Sequence, residues 1–387
     1  MSIYPQGAYG AYGAYGAYGA YGAYGAYGAY GTQDEAPMLA GAFMATHDGI
    51  TGAQLTDISP INPGIADDPR NLTRLSAQVR GAIYQMELVP TIDVTFNGQG
   101  AHPQAILWSR VAGRGKQLTA RYRPMVEMTA PTAEQFAQQM DQVWGYSQIR
   151  PDRAAEILAQ MSVPAPFFAT VSFIDPARTP YTLEFLFAAL AFNAIAYQRM
   201  KYTLAIKRPI EFSPQIQPMI PTPTHGSLPS GHATEAFLMA RLIWKLLLTS
   251  NAPQYSDKAY WGEMLMRLAA RIATNRTVAG VHFPVDSAAG ALLGLTMAEH
   301  VHSQCAGDSG WSTSFDGTRF DPEGDFDWHA LYQADGDRMK SKAKSGNGVW
   351  MKGKATKGVA QGDTSAVLQW LWSKAVAEWQ DLRPGKK

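Results

Sequence analysis

From Ala133 onward the apolar positions recur at helical spacing, and six segments read as helices: 133–146, 152–161, 183–207, 233–248, 258–274 and 286–302. Upstream, Leu72, Leu75, Val79, Ile83 and Met86 predict one more helix over 72–88. The period then changes. Ile92, Val94 and Phe96 alternate with polar residues, and 105–111 and 117–125 also read as extended, which predicts a small β hairpin or meander in the N-terminal half. Near the end, Leu368, Leu371, Trp372, Val376 and Trp379 form one apolar stripe over 365–381, an amphipathic helix that packs on the body. The fold class is therefore mainly α, a helical bundle with a minor β part.

Four regions follow from this pattern. Residues 1–31 are a low-complexity tract in which Ala-Tyr-Gly repeats eight times from Ala8 to Gly31, taking 8 of the 18 tyrosines. Glycine at every third place removes helix propensity, so the tract reads as a disordered tether, or as a self-associating tail. Residues 32–132 form an irregular and mixed region packing on the core, 133–305 a helical catalytic core, and 306–387 a C-terminal extension. That extension is charge-segregated. Seven acidic residues and Arg319 lie between Asp316 and Asp337, and a basic run without acids follows over 338–357. Asp321, Glu323, Asp325 and Asp327 alternate somewhat like a calcium loop, but Phe326 sits where such a loop needs glycine. The acidic run reads as a solvated loop and the basic run as flexible surface.

Composition narrows the function. The 387 residues carry a formal charge of +1, which argues against a broad nucleic-acid-binding surface. One cysteine, Cys305, excludes an internal disulfide framework and a thiolate metal cluster, and reads as a small buried hydrophobe. The longest apolar run, 185–197, has 13 residues, short of the ~20 needed to cross a bilayer. The first residues lack the cationic end and apolar stretch of a secretory signal, which makes a cytoplasmic location the default.

Three separated segments carry residue types suited to one oxyanion. Lys201 and Arg208 are seven apart, two helical turns, so a continuous helix places both on one face before Pro209 ends it. Ser230-Gly231-His232 opens an apolar helix, where a hydroxyl and free backbone N–H groups meet the positive end of the dipole. His232 there is placed to give or take a proton. Arg276 adds a third cation, and Asp286, four residues after His282, is placed to accept the N–H of one ring nitrogen and leave the other basic. Each segment alone also has a plain reading: a solvated basic face, an ordinary helix cap, a hydrogen-bonded core histidine.

Taken together, Lys201-x6-Arg208-Pro209, Pro229-Ser230-Gly231-His232 and Arg276-x5-His282-x3-Asp286 resemble the three-part signature of the type-2 phosphatidic acid phosphatase and vanadium-dependent haloperoxidase superfamily. Asn275 departs from the serine usual before the arginine. The resemblance implies a helical bundle with its site at one end. It also implies that Lys201, Arg208 and Arg276 neutralise the oxyanion, that Ser230 and Gly231 add hydrogen bonds, and that His282 bonds the central atom.

Two reaction classes share such a cradle. The phosphatase alternative has His282 attack phosphorus and His232 protonate the leaving alkoxide. The reading preferred from sequence is a vanadate-dependent haloperoxidase that oxidises bromide or iodide with hydrogen peroxide and halogenates small organic acceptors. There vanadate sits on His282, Lys201 polarises peroxide, His232 is the acid–base group and His225 tunes the halide. The segment 221–228 before Pro229 resembles the proline- and histidine-bearing lead-in of haloperoxidases, and Ala279-Gly280-Val281-His282 resembles their usage. Gln198 departs from an aromatic residue common there. Related enzymes are often oligomers, which suggests a homo-oligomer, with neither a membrane nor nucleic acid as partner. The tyrosine tract would offer phenols to an electrophilic halogen, so self-halogenation is expected on this reading. A non-catalytic scaffold that merely retains the cradle is the third option. His300 and His302 point to different faces, and His47, His102 and His329 lack partners at recognisable spacing, so none receives a role.

Overall fold

A computed structural model describes residues 41–46, 64–98, 102–113, 119–308, 310–346, 348–356 and 364–380. The Ala-Tyr-Gly tract lies outside the described residues. Two compact units divide at Tyr84/Gln85. In the first, Asp68 caps a short 3-10 turn, Pro69–Arg74, by accepting from the Arg70 N–H at 2.9 Å. The helix α1, Ala77–Leu88, starts after it. The single helix predicted over 72–88 is thus two elements, because the turn closes at Leu75, whose backbone is extended.

The second unit begins with the predicted meander: β1 (Ile92–Asn97), β2 (Gln104–Gly113) and β3 (Thr119–Thr129) pair antiparallel in sequence order. The helices follow. Thr132 and Gln135 form a reciprocal capping box at the start of α2 (Ala133–Ser147). Next come α3 (Arg150–Ala159) and a short helix not expected from the pattern, α4 (Ala165–Ala169). Pro180 sits in the first turn of α5 (Pro180–Leu204), and a short α6 (Pro209–Phe212) succeeds it. Ser230 caps α7 (Gly231–Ser250), Asp257 caps α8 (Lys258–Val278), and Pro284 opens α9 (Pro284–Ala306).

The helix α9 is buried from Pro284 to Cys305 and forms the axis of the bundle. Its middle, from Ala288 to Leu295, is apolar or glycine all round, as a helix in a core requires, and its buried polar residues lie toward the two ends. Two of its glycines set how closely it meets α7. A Cβ on Gly290 would lie 2.6 Å from the Ser230 carbonyl and 2.8 Å from the Ala233 Cβ. At Gly294 it would overlap the Thr234 carbonyl. Only glycine allows this backbone approach.

The C-terminal residues correct the reading of a loop-rich extension. Here β4 (Trp311–Asp316), β5 (Tyr332–Gln333), β6 (Arg338–Met339), β7 (Lys342–Ser345) and β8 (Gly348–Ala355) form, followed by α10 (Ala366–Gln380). The larger sheet runs β1-β2-β3-β4-β8-β7, with β4 parallel to β3 and the remaining pairs antiparallel. The lysine-rich run is therefore strand, not flexible surface. Lys342 and Lys344 face outward while Ala343 is buried, and Trp350 and Met351 fill the core side of β8.

The acidic run is not simply a solvated loop either. Asp337 and Glu299 bracket the fully buried Arg241, whose Nε donates to Asp337 at 2.9 Å and whose Nη1 donates to the Leu295 carbonyl at 2.8 Å. Lys245 joins both carboxylates, at 3.2 Å to Glu299 and 2.9 Å to Asp337. The Arg241 guanidinium also stacks 3.5 Å from the centre of the Trp311 ring. Despite burial, Arg241 and Lys245 hold the Asp337 carboxyl down to about 2. On α10, Glu378 accepts from the backbone N–H groups of Tyr181 and Thr182 at 2.7 and 2.8 Å, completing the first turn of α5. No helix among the described residues is long and apolar enough to cross a membrane.

Candidate active site

The three motif segments converge where the ends of α5 and α8 meet the starts of α7 and α9. The route from Lys201 to Arg208 differs from the sequence expectation. The helix α5 stops at Leu204 because Ala205 turns left-handed (φ 53°), and Arg208 is extended, capping α6 (φ −89°, ψ 161°). The two cations therefore do not share a helix face. The chain turns between them and returns Arg208 to the site from a loop.

The lead-in loop pins both cations. Lys201 Nζ donates to the Gly226 and Ser227 carbonyls at 2.8 and 2.9 Å. Arg208 donates from Nε to the His225 carbonyl at 3.0 Å, from Nη1 to the Val281 carbonyl at 2.8 Å and from Nη2 to Gly226 at 3.3 Å. His225, half-buried, places Nδ1 3.1 Å from Arg208 Nη2. A guanidinium only donates, so toward Arg208 this Nδ1 accepts, while the Gly226 carbonyl, 3.2 Å from the same nitrogen, takes its N–H in the other tautomer. Burial, followed by the Lys201 charge, pushes the His225 imidazole down to about 4.

His282 has its two ring nitrogens assigned by the same logic. Arg208 Nη1 lies 3.3 Å from Nε2 and can only donate, so Nε2 carries the lone pair. Nδ1 then donates to Asp286 Oδ2 at 2.9 Å. Asp286 Oδ2 also accepts from Ser227 Oγ at 2.5 Å and the Phe283 N–H at 3.0 Å, which fixes the carboxylate and through it the ring. Burial and the neighbouring Arg208 and Lys201 hold the His282 imidazolium well below the ordinary range, so His282 is neutral and nucleophilic at neutral pH.

Arg276 and His232 share a partner that sequence reasoning missed. Gln160, one residue beyond α3, accepts from Arg276 Nη2 at 3.2 Å and from Asn275 Nδ2 at 2.9 Å through its side chain. Its carbonyl accepts from His232 Nε2 at 3.0 Å. The departure at Asn275 is thus absorbed by a support of Arg276. The His232 ring leaves Nδ1 for chemistry, and burial with the Arg276 charge pushes it down to about 3. Ser230 Oγ caps α7 by accepting from the Ala233 N–H at 3.4 Å, which leaves its proton free to donate.

The electrostatic balance points to a ligand. Lys201, Arg208 and Arg276 are all 1% exposed or less. Burial holds the guanidinium groups of Arg208 and Arg276 down to about 10, and burial together with Arg208 lowers Lys201. Arg276 Nε and Nη1 are buried without a hydrogen-bond partner among the described residues. Orphaned buried donors cost about 1–3 kcal/mol each, more when charged, and an anion in the cradle would satisfy them. Lys201 and Arg276 sit in the last turns of α5 and α8, where the negative ends of the dipoles offset part of that cost.

Ser227 and Glu235 were also unassigned from sequence. Glu235 could have been noticed, since it is an acid within the otherwise apolar start of α7; Gln160 offered no such signal. Elsewhere, His300 Nε2 meets Thr91 Oγ1 at 2.7 Å, His302 packs edge-on against Trp372, and Cys305 is buried. No cluster of His, Cys, Asp or Glu suited to a metal ion occurs among the described residues.

No curated protein matches the chain. Among solved structures it is similar to a transmembrane PAP2 type phosphatidylglycerolphosphate phosphatase from Bacillus subtilis, with 19% identity over 43% of this chain and 84% of that one, and a TM-score of 0.36. Residues 182–306, which hold every side chain of the cradle except the supporting Gln160, match the family described as the PAP2 superfamily.

Proposed function

We propose that the chain is an enzyme acting on a tetrahedral oxyanion, and specifically a phosphate-ester hydrolase working through a phospho-histidine. The observation that carries the oxyanion reading is the set of three buried cations with two unpartnered nitrogens on Arg276. Hydrolysis is favoured within that class because the chain itself supplies every group the reaction needs.

The steps follow from the hydrogen bonds. A phosphate ester entering the cradle takes the N–H groups of Arg276 and draws Arg208 away from His282, freeing the Nε2 lone pair. Nε2 attacks phosphorus and the bond to the alcohol oxygen breaks. His232, protonated in the complex, gives its proton to that oxygen. Its low value of about 3 belongs to the free cradle, where burial and then the Arg276 charge disfavour the imidazolium; a bound dianion cancels the Arg276 repulsion and adds a counter-charge beside the ring, which lets His232 carry the proton. Asp286 stabilises the positive charge that develops on His282. Water then attacks the phosphoryl group, His232 takes its proton, and the N–P bond breaks.

A second reading rests on the His225–Arg208 contact of 3.1 Å, which brings the lead-in histidine to the edge of the cradle. The same residues fit vanadate, because the Nε2 lone pair of His282 is a ligand once Arg208 is drawn away and the orphaned Arg276 donors suit its oxygens. Lys201, Arg208, Ser230, Gly231 and Arg276 would hold it, and bound vanadate would supply Lewis-acid activation of hydrogen peroxide for halide oxidation. In that setting His232 would exchange protons and His225 would act on the halide side.

One experiment separates the two. Metal-stripped protein is assayed for p-nitrophenyl phosphate hydrolysis, and for peroxide-dependent dye bromination before and after vanadate is added. Steady hydrolysis that vanadate inhibits, without bromination, supports the hydrolase. Bromination that appears with vanadate, over negligible hydrolysis, replaces it with the peroxidase.

A further inference from the structure

A cradle of three buried cations needs a counter-charge when it holds no anion, and α7 carries one. Tyr197 and Lys201 lie four apart on α5; Gly231 and Glu235 lie four apart on α7. The two pairs face each other. A Cβ on Gly231 would lie 3.2 Å from the Tyr197 ring, and the Tyr197 hydroxyl donates to Glu235 Oε1 at 2.7 Å. Glu235 is 5% exposed, one turn inside the helix whose first residues face the cradle, and its field acts on both Lys201 and Arg276.

On the oxyanion reading above, we propose that Glu235 is the internal counter-ion of the cradle: ionised while the cradle holds no ligand, and protonated from solvent when a tetrahedral dianion binds. Neither His282 chemistry nor cation binding requires a carboxyl at this place. Its role is to set the net charge that an incoming anion meets, and so to couple binding to uptake of one proton.

The balance of forces supports this. Burial pushes the Glu235 carboxyl up to about 7, against the pull of the Tyr197 hydroxyl and of Lys201 and Arg276. An anion that neutralises those two cations removes most of the downward pull, so the carboxyl rises further and keeps its proton. The other groups around it are accounted for. His232 on its own helix is neutral in the free cradle, Asp286 of α9 balances Lys201 and Arg208 while bonded to His282, Ser227 and Phe283, and Glu378 of α10 is engaged at the far end of α5. The sign follows. Below about pH 7 Glu235 is neutral in both states and affinity is level. Above it the free cradle has lost a proton that the complex retains, so anion affinity falls by up to about tenfold per pH unit.

Sulfate is the probe, because it is a tetrahedral dianion that does not titrate in this range. At about pH 8, calorimetry in two buffers of different ionisation enthalpy should show the wild-type taking up close to one proton per sulfate more than Glu235→Gln, beyond any proton that His232 takes in both proteins. The infrared difference spectrum should gain a carboxylic-acid carbonyl band. Glu235→Gln, which still accepts from Tyr197, should lose that extra proton and the band and bind sulfate about tenfold tighter than wild-type at about pH 8.5. Tyr197→Phe should keep the band and move the onset of weakening, because Glu235 loses the donor that favours its ionised form. The same band in Glu235→Gln, or an equal proton count in the two proteins, would overturn the proposal, since another group would then be taking the proton. Failure of the wild-type to bind sulfate at any pH would overturn the oxyanion reading itself, and this proposal with it.

Discussion

Asp286 Oδ2 stands 2.9 Å from His282 Nδ1 and accepts, on the same oxygen, from Ser227 and the Phe283 amide. One carboxylate oxygen therefore fixes the tautomer, orientation and basicity of His282. Asp286→Asn can present its amide nitrogen to the ring and reverse the tautomer, placing a proton on Nε2. Turnover should fall by about 10²-fold or more while the helical circular dichroism is kept. Wild-type turnover in this variant would mean that His282 is not the reacting group.

Arg276 predicts opposite effects on stability and binding. Its two orphaned nitrogens make it a cost to the ligand-free protein, so Arg276→Met should unfold within about 1 kcal/mol of wild-type. The wild-type should gain about 2.7 kcal/mol in sulfate at a hundred times Kd, and the variant almost none at that concentration. Thermal melts with and without sulfate check both halves.

Acid should weaken the fold in a definite window. His232 and His302 are pushed down to about 3, and His225 and His300 to about 4, chiefly by burial. The unfolded chain binds protons near 6.5, so between there and about pH 4 it holds more protons than the folded one. Stability is full above about 6.5 and falls with each step down. The slope for one such histidine approaches 1.4 kcal/mol per pH unit, offset in part by Glu235, which is raised. Urea unfolding at about pH 7 and 5 should show a loss of several kcal/mol; a level profile would mean the histidines are hydrated.

Gly290 tests whether helix spacing sets the site. A methyl group there would press the Ser230 carbonyl at 2.6 Å, so Gly290→Ala should cost about 1–3 kcal/mol and also weaken sulfate binding by displacing Ser230 and Gly231. A loss of stability with unchanged affinity would separate the two.

Most of the helices were legible from their 3.6-residue period, and Lys201, Arg208, Ser230, His232, Arg276, His282 and Asp286 from their types and spacing. Other features depend on tertiary contact. Nothing local marks Gln160 as the residue that holds Asn275, Arg276 and His232 together, because an amide just past a helix end is ordinary. The break at Ala205 was hidden by the good helical period running through Lys201 toward Lys207. The C-terminal strands were obscured by their charge: Lys342, Lys344, Lys352 and Lys354 look like a solvated run until Ala343 and Trp350 are seen to alternate inward.

The parallel pairing of β3 with β4, which sets Val126 beside Thr313, has a consequence for how the molecule is made. During synthesis the helical core leaves the ribosome while β3 still has a bare edge, and that edge waits for strands translated after Asp286, the last of the motif residues. The helices can collapse early, but the sheet closes late and over a long loop, so cooperative locking belongs to the end of the process. A nascent chain halted before Trp311 should hold all three motif segments yet remain sensitive to protease along β3, and become resistant once β8 has emerged.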